Sequence, residues 1–278
     1  MATNSVKLKD LVAMYGAKLW DAGTPHHFTA NGYLHELSEI KSAEFVNFLA
    51  ADYNEIITEL QNRGNKNSTI NRKINALTKL LRAAAANGDI PSVPTFKKLP
   101  ENNDTLRYLS LTEETMIIMA IGERSNPFAS LAQFLIETGM NVGEAILLRW
   151  ENISGNFVHI PESRIGLGRT IPLTKKAAHT VTAMHSELRG PFSWIEQPKF
   201  RATWNDSKAA VGLQDDNAIV PTVLRHTCAC RLILQGVDLR IVQRWLGNRN
   251  YKSMIRYEAL VPNNNFTLCV PALESFKD

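Results

Sequence analysis

Apolar residues recur along this chain with two periods, one near 3.6 and one of 2, and the change between them marks out its elements. Over residues 6–20 Leu8, Leu11, Val12, Tyr15 and Leu19 fall at helical spacing, which predicts a helix there. Over residues 42–62 Phe45, Phe48, Leu49, Tyr53, Ile56 and Leu60 form one apolar stripe and predict a second. A third follows, with Ser68 or Thr69 as N-cap, Ile70, Ile74, Leu77, Leu81 and Ala84 as its buried face, and Asn87-Gly88 as its stop. On the opposite face of that helix Arg72, Asn75, Lys79 and Arg82 all project the same way. Residues 91–110 then lose periodicity and hold three prolines and an Asn-Asn-Asp cluster, so they read as a linker.

Beyond the linker, Ser110 and Glu113 have the spacing of a capping box and open another helix. Two helical stretches over residues 126–150 are broken at Gly139. The period then switches to 2: Phe157 and His159 alternate with Val158 and Ile160, and a glycine-containing turn leads to Arg169, Thr170 and Ile171, which predicts a β-hairpin. Helices resume over residues 175–188, 199–211, 223–235, 239–246 and 251–260. The pattern predicts a mainly α protein with a small β-sheet, an α+β class: a helical domain over residues 1–92, a linker over 93–107 and a second domain over 108–278.

Composition changes this picture little. The 278 residues carry 44% hydrophobic and 21% charged side chains, a globular balance. No apolar run approaches the ~18 residues of a membrane span and the N-terminus lacks the pattern of a secretory signal, so a cytoplasmic protein is expected, with no membrane partner. Cys228, Cys230 and Cys269 are an odd number, expected as reduced thiols, and the Cys-x-Cys pair has no second pair to complete a metal site.

Charge changes more. The net value is only +4, yet residues 64–98 hold seven Lys or Arg against one Asp, and residues 221–260 hold seven against two acids. Such blocks suit a phosphate backbone, and they also suit solvated helix faces. Lys66, Arg72, Lys73, Lys79 and Arg82 are the candidate DNA contacts of the first domain.

Four segments, in order, resemble the motifs of the tyrosine recombinase or phage integrase family: "TGMNVGEAILLRWENI", "SRIGLGRTIPLT", "TVLRHTCACRLILQGVDLRIVQRWLGN" and "SMIRYEAL". Residues 43–90 are similar to the family's helical core-binding, SAM-like domain. The resemblance implies a C-shaped clamp on double-stranded DNA and a tyrosine that attacks a backbone phosphate, forming a 3'-phosphotyrosine. Two arginines would neutralise the phosphate oxygens and a lysine would protonate the leaving oxygen. It implies no metal and no cofactor.

Carried over position by position, the resemblance makes Tyr257 the nucleophile, Arg225 the second phosphate-binding arginine and Glu144 a supporting acid. Asn141 stands where the family has its first arginine, Thr222 and Asn248 stand in its two histidine positions, and Arg164 takes the place of the lysine. One lost donor costs about 100- to 1000-fold in rate. An arginine with a pKa above about 12 is also a poor general acid. Strand cleavage is therefore expected to be weak or lost, with DNA binding retained; the alternative is a working integrase whose active site is compensated. His226 is expected to pack, because neighbours on a helix point about 100° apart. Trp245 is expected in the core, and residues after Tyr257 are expected to join protomers on DNA.

Overall fold

The computed structural model describes residues 5–101, 106–163, 166–184 and 188–261, and the chain divides into two compact units, residues 1–102 and 103–278. In the first unit α1 (Leu8–Tyr15), α2 (Pro25–Ile40) and α3 (Ala50–Asn62) pack around the 20-residue α4 (Asn67–Ala86). The predicted stripe of α4 is fully buried: Ile70, Ile74, Leu77, Leu81 and Ala84 meet Leu8, Leu11, Leu34, Leu37, Ile56 and Leu60. Its N-cap is Lys66 rather than Ser68 or Thr69, so the helix begins a turn earlier than the hydroxyl residues suggest.

Two elements differ from the pattern-based expectation. Helix α2 is not marked by a strong apolar stripe, because only Ala30, Leu34, Leu37 and Ser38 of its 16 residues are buried. It is set by its start: Thr24 accepts a hydrogen bond from the His27 amide, and Pro25 occupies the first helical position, where a missing N–H costs nothing. Helix α3 begins at Ala50 and not near residue 42. Phe45 instead pairs in extended conformation with Val6, and the Leu49 amide donates to Asp52 Oδ2 at 2.6 Å. Part of the expected linker is also anchored to this unit. Asn71, buried on α4, donates to the Leu99 carbonyl and accepts from the Leu99 amide, both at 2.9 Å, so its polar groups are satisfied away from water.

In the second unit α5 (Leu111–Gly122) starts at the predicted Ser110–Glu113 capping box. Helix α6 (Asn126–Thr138) is the core element, lying against α5, α8 (Lys175–Thr182) and α10 (Thr222–Leu234) with Leu131, Ala132, Phe134 and Leu135 buried. It ends at Gly139, whose φ of +66° is left-handed, and a short α7 (Val142–Ile146) follows. A Cβ at Gly139 would lie 2.8 Å from Leu246 Cδ2, so glycine is required there by φ and by space. The β-strands β1 (Ile153–Ser154), β2 (Phe157–Ile160) and β3 (Arg169–Pro172) form an antiparallel sheet in that order. The register opposes Val158 to Ile171 and Ile160 to Arg169, all on the buried face. Helix α9 (Gln197–Ala210) packs on α5 and α7. A second cluster gathers α10, α11 (Leu239–Leu246) and a 3-10 helix (Tyr251–Leu260) around Cys230, Ile233, Val242, Leu246, Met254 and Tyr257. Trp245, expected in the core, is partly buried against both clusters. Among the described residues no helix is long and apolar enough to cross a membrane.

Candidate active site and candidate nucleic-acid face

Helix α10 carries Arg225 into a ring of oxygen acceptors. Its Nη1 donates to the Gly139 carbonyl at 2.6 Å, and its Nη2 donates to the Leu246 carbonyl at 2.6 Å and to Asn248 Oδ1 at 2.9 Å. Three of the five guanidinium N–H groups are thereby spent. Asn248 turns inward: its carboxamide oxygen serves Arg225, and its nitrogen lies 3.4 Å from Met254 Sδ. Burial lowers the Arg225 pKa, opposed by the charge of Glu144.

Beside Arg225 lies an ion pair that the sequence reading did not assign. Arg169 donates from Nη1 to Glu144 Oε1 at 3.0 Å and from Nη2 to Glu144 Oε2 at 2.9 Å, while its Nε donates to the Trp245 carbonyl at 2.8 Å. Burial works to raise the Glu144 carboxyl, but the hydrogen bonds and charge of Arg169 hold it below the ordinary carboxylate value. Arg225 Nη1 is 3.8 Å from the same carboxylate, and the Asn141 amide donates to it at 2.8 Å. Glu144 thus joins Arg169, Arg225 and the start of α7 through one carboxylate. The signal for Arg169 was present in the period-2 pattern: two residues before Ile171 it falls on the buried face of β3, and a buried charge demands a partner. The chain passes close here, since a Cβ at Gly247 (φ +71°) would meet Arg169 Nη1 at 2.6 Å and the Leu167 carbonyl at 2.9 Å.

Tyr257 is 3% exposed, and its hydroxyl lies 2.6 Å from His226 Nδ1. Burial pushes the phenol up to about 12, with Cys230 adding to the rise and Arg256 and Arg225 opposing it. Burial and the charges of Arg256 and Arg225 push His226 down to about 4, so at neutral pH its ring is uncharged. The expectation that His226 only packs is corrected by this contact. The two neighbours do leave α10 in different directions, as helical geometry requires, but Tyr257 comes to His226 from the 3-10 helix rather than from Arg225's side.

Asn141 and Thr222 line a cleft of about 590 Å³ together with Glu144, Leu147 and Ser163. Thr222 is exposed and Asn141 half-buried. Arg164 lies outside the described residues.

In the first unit Lys66, Arg72, Lys79 and Arg82 are exposed, the last three with Asn75 on one face of α4. Lys79 donates to the Leu19 carbonyl and stands 4.5 Å from the Trp20 ring centroid, a cation–π distance. Lys73 does not belong to that face. It is 5% exposed, and its Nζ donates to Glu36 Oε1 at 2.7 Å and to Asn65 Oδ1 at 2.9 Å. The sequence order Arg-Lys hides this, because residue 73 falls 100° round the helix from residue 72 and onto its buried side.

The model of the phage integrase family matches residues 109–263. Tyrosine recombinase XerD of Lacticaseibacillus casei is 27% identical over 72% of this chain and 75% of its own length. A shufflon-specific DNA recombinase of Escherichia coli is 25% identical over 55% of this chain and 40% of its own length. Among solved structures, the Tn1549 transposon integrase in complex with a circular intermediate DNA superimposes with a TM-score of 0.76 at 14% identity, covering 97% of this chain and all of that one. A lambda integrase dimer bound to a core site gives 0.73 at 18% identity, over 92% of this chain and 78% of that one. The fold is shared with these proteins, and with its family match spanning more than half the sequence, the chain belongs to the phage integrase family.

Proposed function

We propose that the chain binds duplex DNA site-specifically through both of its units and that strand cleavage at Tyr257 is weak or lost, leaving a regulatory or architectural role. The observation that carries this reading is the state of Tyr257. Its hydroxyl is buried, holds its proton up to about 12, and faces an imidazole that gains a proton only near 4. Both shifts make transfer of the proton from Tyr257 to His226 less favourable than between the same groups in water. The neutral Asn141 and Thr222 add a second handicap, each leaving the developing phosphate charge with less than the family's residue supplies.

Binding is a separate matter. Arg225 keeps two N–H groups, Asn141 and Thr222 still hydrogen-bond to phosphate oxygens, and the α4 face offers Arg72, Lys79 and Arg82. The solved relatives held on DNA support the same partner. Assembly into a dimer or tetramer on DNA through residues 262–278, which lie outside the described residues, and action in the cytoplasm belong to this proposal.

A nicked suicide duplex, carrying a site enriched from random sequence by the protein itself, tests it. The expected result is retention of the duplex with no covalent adduct. An adduct that forms at the rate of a working recombinase and vanishes in Tyr257→Phe overturns the proposal in favour of a compensated integrase. The double substitution Asn141→Arg with Thr222→His is expected to raise adduct formation.

A further inference from the structure

The cleft that holds Asn141 and Thr222 contains a cation that none of the family's motifs predicts. Helix α9 packs against α7, the helix that Asn141 opens, and its first turn turns Gln197, Phe200 and Arg201 toward this cleft. Phe200 is buried in the core and fixes the rotation of the helix, so Arg201, one position on, is held at the cleft wall. Arg201 is exposed and makes no ion pair or hydrogen bond among the described residues. Glu144, the one acid lining the cleft among the described residues, is already neutralised by the bidentate contact with Arg169. A side chain with five rigid donors and no partner, beside a neutral residue at the position of a lost arginine, has the chemistry to take a phosphate oxygen.

We infer that Arg201 is the phosphate-binding residue that takes over the charge missing at Asn141, gripping from the cleft wall a backbone phosphate that Arg225 also contacts. The ligand is a phosphodiester of duplex DNA, so the inference rests on the DNA-binding reading above. Relative to an arginine at position 141, the cation has moved from the start of α7 to the first turn of α9, which gives charge to a bound phosphate without restoring the original direction of the donors. Ground-state grip is thereby kept while the alignment needed for transfer is not.

The test uses the full chain and the duplex that it enriches from random sequence. Arg201→Ala is expected to weaken binding about 10- to 100-fold at low salt and to reduce the log–log salt slope by about 0.9, the value of one phosphate contact. Arg201→Lys is expected to restore the slope. Placing single uncharged methylphosphonates along the duplex then locates the contact: the phosphate whose neutralisation weakens Arg201→Ala less than it weakens the unsubstituted chain is expected to be the one that does the same for Arg225→Gln. Asn141→Arg in the Arg201→Ala background is expected to recover the lost slope. An unchanged slope in Arg201→Ala, or two different phosphates in the methylphosphonate scan, overturns the inference while leaving DNA binding intact. Failure of the unmodified chain to bind any duplex overturns the DNA-binding reading and this inference together.

Discussion

The candidate site has two sides that differ in kind. Its inner side is a connected set: Glu144, Arg169 and Arg225 are charged, largely buried and bonded to one another, to three backbone carbonyls and to Asn248. Its outer side is the cleft wall, where Asn141 is half-buried, Thr222 is exposed and both are neutral. The inner side is the fold's own requirement, because removing one buried charge strands another. The outer side answers only to what enters the cleft. Asn248 belongs to the inner set as an acceptor.

That contrast breaks first where a buried charge loses its partner. Glu144→Gln leaves Arg169 facing a neutral amide and is expected to cost about 3–5 kcal/mol, read as a drop in the denaturation midpoint; a loss under about 1 kcal/mol would remove the distinction between the two sides. Acid comes next. His226 takes a proton at 6.5 in the unfolded chain and at about 4 in the folded one. The unfolded state therefore binds the proton more readily, and stability falls as pH drops from about 6.5 to 4, by up to about 3 kcal/mol. In His226→Gln this part of the acid loss is expected to vanish.

The same inside–outside logic applies to α4. Lys73→Ala is expected to lower stability by about 1–3 kcal/mol through the stranded Glu36 and Asn65 while leaving the salt slope of DNA binding unchanged. Arg82→Ala is expected to do the reverse, leaving stability within about 0.5 kcal/mol and reducing the slope by about 0.9. Smallest of all is Thr222→Val, expected within about 0.5 kcal/mol of the unsubstituted chain in thermal unfolding, since the side chain is exposed.

Much of this was legible in the chain itself. The break at Gly139, the capping box at Ser110, the hairpin from Phe157 to Ile171 and the burial of the α4 stripe follow from periodicity and local chemistry, which the fold does not override. Helix α2 was not legible, because its identity lies in a cap and a proline rather than in an apolar stripe. The start of α3 was misplaced because Phe45 is buried by pairing with Val6, a contact between distant segments that no local window contains. The site divides the same way. The resemblance pointed to Arg225, Asn248 and Tyr257, but the His226–Tyr257 bond depends on how the 3-10 helix meets α10, and the inward turn of Lys73 on its partner Glu36 in α2.

The two carbonyls that hold Arg225 both lie at helix C-termini, that of Gly139 at the C-cap of α6 and that of Leu246 at the last residue of α11. Helix ends of that polarity carry partial negative charge and lack internal donors. One guanidinium thus plugs two helices, and these helices are rooted in different hydrophobic clusters, α6 in the larger and α11 in the one that encloses Tyr257. Anything that displaces this one side chain therefore loosens the joint between the two cores, including the one that encloses the tyrosine.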